Sequence, residues 1–223
     1  MFNHQPAIST MSLGDLKSLV KTGEGTYLEF KRTISNPEKI ARELCAFANT
    51  KGGILLIGVD DNGSLVGVTS FHEEQYLLAE ATDYYCDPPI KHKIEILELG
   101  DREIVLVHVE ESDVKPVFVS HNNRNSAYER MRDKSVRISR EKVVLLKNSS
   151  NGEGITFNYG VNEQKLFRYL NEYQKITVNE FSNLINLNKK KSAKILVDLV
   201  SIGVLNLFSN DKADYFTFSN KSF

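Results

Sequence analysis

Long hydrophobic runs are what this 223-residue sequence most plainly lacks. Its longest apolar stretch, around Gly53 to Val59, falls far short of the roughly 20 residues that a membrane-crossing helix requires. The N-terminus shows no basic-then-apolar pattern of a secretory signal, so the expectation is a cytoplasmic protein. Only two cysteines are present, Cys45 and Cys86, which excludes a thiolate zinc site of the usual four-ligand kind. Cys45 falls in an apolar helical stripe, where a buried free thiol is expected and no disulfide is needed. The five histidines, His4, His72, His92, His108 and His121, have neither metal-ligand spacing nor a triad partner nearby. No Gly-x-Ser-x-Gly elbow or dinucleotide fingerprint occurs, which leaves hydrolase and dehydrogenase chemistry without local support. Internal repeats and low-complexity tracts are absent as well.

Net charge is also nearly missing, −1 in total, but it is unevenly spread. Phe71 to Asp113 holds twelve acidic residues against three basic, whereas Arg124 to Lys142 holds seven basic against three acidic. Partners respond to such local patches rather than to the sum. Arg124, Arg130, Arg132, Lys134, Arg137 and Arg140 are therefore candidates for a phosphate-binding surface. The alternative is that both stretches are solvated faces of one domain.

With 41% hydrophobic and 26% charged residues the chain is globular in composition, and its pattern reads as α+β. The expected architecture is a mixed sheet with flanking helices, followed by a small winged helix-turn-helix domain. Ser12 caps a helix through Lys21, and a strand follows at Tyr27 to Lys31. Asn36-Pro37 opens a helix to Asn49 with Ile40, Ala41, Leu44 and Ala48 on its apolar face. Gly52-Gly53 turns the chain into Ile54 to Val59, an apolar run expected to be the central strand. Asp60-Asp61-Asn62-Gly63 returns it as a hairpin arm at Leu65 to Val68. A helix from about Glu73 to Tyr85 stops before Pro88-Pro89, and Ile90 to Leu99 pairs with Arg102 to Val109. Val117 to Val119 and Ala127 to Met131 flank a polar turn at His121 to Asn125. Ser139 then starts a helix running toward Asn148.

The small polar residues from Ser149 to Gly154 have linker composition, which sets the expected boundaries at 1–148, a linker over 149–158, and 159–223. Helices at Asn162 to Tyr173, from Thr177 to near Ile185, and from Asn188 to Gly203 precede two strands, Val204 to Phe208 and Tyr215 to Phe218. Their turn falls at Asn210-Asp211. In a winged helix the third helix enters the major groove, and Lys189, Lys190, Lys191 and Lys194 stand at its start. Such modules also serve in protein interaction and dimerisation.

Three ordered segments carry a more specific signal: Glu24 to Lys31, Cys45 to Gly53, and Ile57 to Gly63. Together with Lys115-Pro116-Val117 and Tyr128 to Arg132, they resemble the Schlafen AlbA-like family over roughly Gly23 to Ser139. Bacterial members of that family are described as DNA-binding or ATP-binding and are often joined to a winged helix, while some animal members are metal-dependent endoribonucleases. The resemblance to those nucleases places catalytic carboxylates at Glu24, Glu29 and Asp60, with Asp61 beside the last. Three such carboxylates converging on one point would hold Mg²⁺ or Mn²⁺. Glu24 reaches Glu29 only if the chain bends at Gly23 or Gly25, because residues five apart in a strand face opposite ways. Lys31 shares the face of Glu29 and is a candidate phosphate contact. Alternatively Glu29 and Lys31 pair on the sheet surface, Glu24 caps a helix or loop, and Asp60 and Asp61 only make a turn. Asn49-Thr50-Lys51-Gly52-Gly53 reads either as a cradle for ATP phosphates or as a helix end and tight turn; it lacks the Ser or Thr that follows the lysine of a P-loop. A single lobe, where Schlafen cores use two side by side, implies a homodimer. The function classes that remain are a DNA- or RNA-binding transcriptional regulator, a metal-dependent endoribonuclease acting on structured RNA, and a protein-interaction scaffold.

Overall fold

The computed structural model of the chain describes residues 6–122, 124–151, 159–209 and 213–219. The chain divides into two compact units, Met1–Ile138 and Ser139–Phe223.

The first unit opens with a short strand, β1 (Ala7–Ile8), and with α1 (Leu13–Lys21). Ser12 caps α1 through its hydroxyl, which accepts the Asp15 N–H, while the Asp15 carboxylate accepts the Ser12 N–H. After β2 (Leu28–Lys31), the Asn36 side chain accepts the Lys39 N–H and proline enters the first turn of α2 (Pro37–Asn49). β3 (Gly53–Ile57) follows directly. Gly52 makes that turn with φ +75°, and a Cβ there would lie 2.5 Å from the Val109 carbonyl oxygen. Gly52→Ala is accordingly expected to cost about 1–3 kcal/mol in urea unfolding, since the left-handed backbone and the contact both oppose a side chain.

Next come α3 (Phe71–Ala79), extended by one π-helical turn at Glu80–Tyr84, then β4 (Cys86–Asp87), β5 (His92–Leu99) and β6 (Arg102–Val109). Four short strands close the unit: β7 (Phe118–His121), β8 (Arg124–Ser126), β9 (Tyr128–Met131) and β10 (Lys134–Arg137).

Among the described residues the main sheet has five strands in the order β1-β5-β6-β3-β2. β2 runs parallel to β3, β3 antiparallel to β6, β6 antiparallel to β5, and β5 parallel to β1, so the sheet is mixed. Side chains alternate across it. Leu55 and Ile57 join Ala41, Leu44, Phe47, Phe71 and Leu78 in one core, whereas Leu56 joins Leu16, Val20, Phe30 and Leu106 in the other. Burial on both faces is why β3 reads as an unbroken apolar run.

Two expectations are corrected here. β3 lies beside the edge strand β2, and the middle strand is β6, because an apolar run reports cover on two faces and not position in the sheet. Leu65 to Val68 is not a hairpin arm. Val59 and Leu65 make one bridge, after which Val68 pairs with Glu103 of β6. The backbone N–H groups of Val66 and Gly67 both donate to the Gly58 carbonyl, which turns the chain away.

The second unit contains α4 (Arg140–Asn151), α5 (Val161–Tyr173), α6 (Val178–Ile185), α7 (Lys189–Ser201) and a hairpin of β11 (Leu205–Ser209) with β12 (Asp214–Phe218). Thr177 and Glu180 form a reciprocal capping box, and Asn188 caps α7 by accepting the Lys191 N–H. Leu166, Leu170, Phe181, Leu196, Leu199 and Phe216 form the core. Residues 149–151, placed by composition in a linker, are the last turn of α4, and α4 packs with α7 rather than closing the first unit. Three small polar residues satisfy a final helical turn as readily as a linker, so composition alone does not separate them. The rest of the expected linker, 152–158, lies outside the described residues, as do Asn123 in the polar turn and the expected Asn210-Asp211 turn. Among the described residues no helix is long and apolar enough to cross a membrane.

Candidate functional site

Strand alternation places Glu29 opposite Leu28 and Phe30, on the face that α2 covers, and Glu29 is buried. A carboxylate taken from water needs a cation. Arg130 of β9 supplies it: its Nη2 donates to Glu29 Oε2 at 2.9 Å and to the Gly25 carbonyl at 2.7 Å. Its Nη1 donates to Glu43 Oε2 at 2.8 Å and to Ser135 Oγ at 3.1 Å. The guanidinium carbon lies 4.9 Å from the centre of the Phe47 ring, and the side chain is 0% exposed. The other Glu29 oxygen takes a short hydrogen bond from Lys31 Nζ, which also donates to the Phe30 carbonyl at 2.9 Å.

These contacts correct the assignment of Arg130 to a phosphate-binding surface, since a fully buried guanidinium already holding two carboxylates has no face to offer a phosphate. Lys31 does pair with Glu29, but at a partly buried position and not on an open sheet surface.

The three carboxylates expected to converge are separated by their partners. Glu24 folds back at Gly25 so that its Oε1 accepts the Phe30 N–H of the edge strand at 2.9 Å. Asp60 faces Arg32 at 3.4 Å. Among the described residues no group of three or more His, Cys, Asp or Glu side chains is gathered to hold a metal ion. Both Glu29 oxygens are committed to cations, so the set as arranged does not fit Mg²⁺ or Mn²⁺, which need free carboxylate oxygens.

Instead, Glu24 and Asp61 share a 460 Å³ cleft with Lys17 and Lys21 of α1 and with the Asn62-Gly63 turn. Burial raises the Glu24 carboxyl above its ordinary value; the Phe30 N–H opposes this, and the charges of Glu29 and Asp61 add to it. Nothing in the sequence distinguishes Asp61 from Asp60 as the cleft residue, because the choice depends on how the 60–63 turn closes: the Asp60 carbonyl accepts the Gly63 N–H at 2.7 Å.

Asn49-Thr50-Lys51-Gly52-Gly53 is a packing device at the C-terminal end of α2. The Asn49 amide donates to the Val117 and Tyr128 carbonyls, both at 2.9 Å, and accepts the Val117 N–H at 2.8 Å. Thr50 Oγ1 accepts the Arg130 N–H at 2.9 Å. Gly53 lies against the Phe47 ring, and Lys51 pairs with Glu111 at 3.3 Å. The segments that resemble the family one by one are thus bonded to one another.

Cys45 and Cys86 are free and buried. Burial pushes the Cys45 thiol up to about 12 and raises Cys86 well above its ordinary value. Neither is expected to react with a disulfide reagent at mildly alkaline pH until denaturant is added; prompt labelling of the folded chain would contradict their burial.

Of the remaining basic candidates, Arg132 and Lys134 are exposed at the tip of the β9–β10 hairpin, while Arg124 on β8 and Arg137 at the end of β10 are also exposed. Arg140 is exposed at the start of α4. Lys189, Lys190, Lys191 and Lys194 are all exposed in the opening turns of α7, whose first turn contains no acidic residue.

A mixed five-stranded sheet, a glutamate of its edge strand buried against Arg130 and a helix-to-strand turn that ties in two later segments make the first unit an α+β domain. The family described as Schlafen, AlbA_2 matches residues 24–139, just over half of the chain, and the chain belongs to it. A protein of Ureaplasma parvum serovar 3 named as an uncharacterized ATP-binding protein is 30% identical over 132 residues, covering 51% of this chain. The match spans 36% of that relative, about a third of its length. Among solved structures, the N-terminal domain of a Nitrosomonas europaea protein named as related to the ATP-dependent DNA helicase RecG is 24% identical, with a TM-score of 0.44 over 59% of this chain and 94% of that one. A Corynebacterium diphtheriae protein is 16% identical, with a TM-score of 0.41 over 56% of this chain and 28% of that one. The AlbA-like domain suggests nucleic-acid binding.

Proposed function

We propose that the chain is a DNA-binding transcriptional regulator whose second unit is a winged helix. The observation that carries this reading is the cluster of four exposed lysines in the opening turns of α7, the helix that precedes the hairpin in a helix-helix-helix-hairpin order. Unpaired backbone N–H groups at the start of a helix favour an anion, and Lys189, Lys190, Lys191 and Lys194 add full charges there. Arg124, Arg132, Lys134 and Arg137 are further exposed basic side chains on the AlbA-like unit. A homodimer would double both sets and suit a two-fold-symmetric DNA site. The test is a fluorescence anisotropy titration with duplex DNA over a range of salt: affinity should fall as salt rises. Undetectable or salt-independent binding would remove the reading and leave the protein-interaction scaffold.

A second reading, a metal-dependent endoribonuclease, draws on the cleft in which Glu24 and Asp61 stand with Lys17 and Lys21. It places the chemistry on Glu24 and Asp61, the two carboxylates that line the cleft. Incubation with transfer RNA and Mn²⁺, beside Asp61→Asn, decides it: cleavage that vanishes in the folded variant supports this reading, and no cleavage by the unaltered chain ends it.

A further inference from the structure

The hairpin of the second unit carries two aromatic side chains that its core does not use. Ile176 and Phe216 exchange backbone hydrogen bonds of 2.8 and 2.9 Å, which adds a third short segment to β11 and β12. Ile176 and Phe216 point inward and are fully buried, with Leu207 packed against the same core. Strand alternation then turns Phe208 and Tyr215, directly opposite each other in the register, to the other face. Their rings stack at 5.5 Å between centres with only 19° between planes. Lys175 Nζ lies 5.7 Å from the centre of the Tyr215 ring. Phe208 is 45% exposed, and neither ring belongs to the hydrophobic cluster that holds the unit together.

We infer that this face is a stacking platform for an unpaired nucleic-acid base, with Lys175 contacting the adjoining phosphate. Every base offers a π face, so a pair of stacked rings extends naturally by one more ring. A lysine over the Tyr215 ring, at the end of the stack away from Phe208, matches the charge that accompanies a base and would not accompany an apolar peptide. The lysines of α7 in the same unit favour a polyanion as well. The platform deepens the proposed function and rests on its nucleic-acid reading: duplex backbone is held by the α7 lysines, and strand ends, gaps or forks are distinguished by the hairpin.

The experiment compares the full chain on a blunt duplex, the same duplex with a single-stranded tail, and the tail alone. The tailed duplex should bind about tenfold more tightly than the blunt one, the effect of one stacked base. The double variant Phe208→Ala, Tyr215→Ala should lose that preference while keeping its affinity for blunt duplex. Phe208→Tyr should retain the preference, because it preserves the ring, and circular dichroism checks that the variants fold. A 2-aminopurine placed at the junction should lose fluorescence on binding the unaltered chain and not on binding the double variant. Equal affinity for blunt and tailed duplex, or a preference that survives the double variant, overturns the platform and leaves the duplex reading standing. Binding to none of the three overturns both. A double variant that changes only the sedimentation of the free chain assigns the face to a second copy and also overturns the platform.

Discussion

Replacing Arg130 by methionine is expected to lower the unfolding free energy by about 3–5 kcal/mol, the range seen when one partner of a buried ion pair is removed. Methionine fills much of the same volume over the Phe47 ring, so packing changes little. What changes is electrostatic: Glu29 and Glu43 lose the guanidinium they share, and the Gly25 carbonyl loses its donor. Lysine is not a conservative substitute, because one ammonium cannot present paired donors in two directions. Arg130→Lys should therefore fall between the wild type and Arg130→Met. Adding Glu29→Gln and Glu43→Gln to the methionine variant should recover a large part of the loss, since neutral amides need no counter-charge. Urea unfolding followed by circular dichroism measures all three. If Arg130→Met is as stable as the unaltered chain, the buried network does not contribute as described.

Neutralising Lys189, Lys190, Lys191 and Lys194 together, each to glutamine, is expected to weaken duplex binding by about a hundredfold at low salt and to flatten its salt dependence. Each phosphate-bound lysine contributes roughly one unit to the slope of log affinity against log salt, so four should remove about 3–4 units. The side chains are exposed and the Asn188 cap is untouched, so the unit should fold unchanged. The comparison with Arg132→Gln and Lys134→Gln on the β9–β10 hairpin apportions binding between the two units. Loss of affinity with an unchanged slope would mean that the α7 lysines act otherwise than on phosphates, and the winged-helix assignment would lose its main support.

The helix starts were legible because each is written within four residues. Ser12, Asn36, Thr177 and Asn188 satisfy donors one turn ahead, and such contacts form whatever the rest of the chain does. The apolar run of β3 announced a strand covered on both sides, and the Arg102 to Val109 pattern announced its place in a hairpin. Period-two spacing put Glu29 and Lys31 on one face and left open a phosphate contact or a mutual pair; in the folded chain they pair. Legibility ended where a side chain's partner lies far along the chain. Arg130 and Glu29 are 101 residues apart, and an arginine within a basic stretch looks the same whether it meets solvent or a buried glutamate.

By itself, then, the sequence determined the local elements, the mixed α+β character and the family, through caps, alternation and ordered motifs whose physics acts over a few residues. Tertiary structure decided that β6 and not β3 is the middle strand, that Asp61 and not Asp60 joins Glu24 in the cleft, and that Arg130 is an internal counter-ion. Those outcomes turn on desolvation and on charges brought together by folding: burial makes an unpaired carboxylate costly, and only the folded chain determines which cation is near enough to meet it.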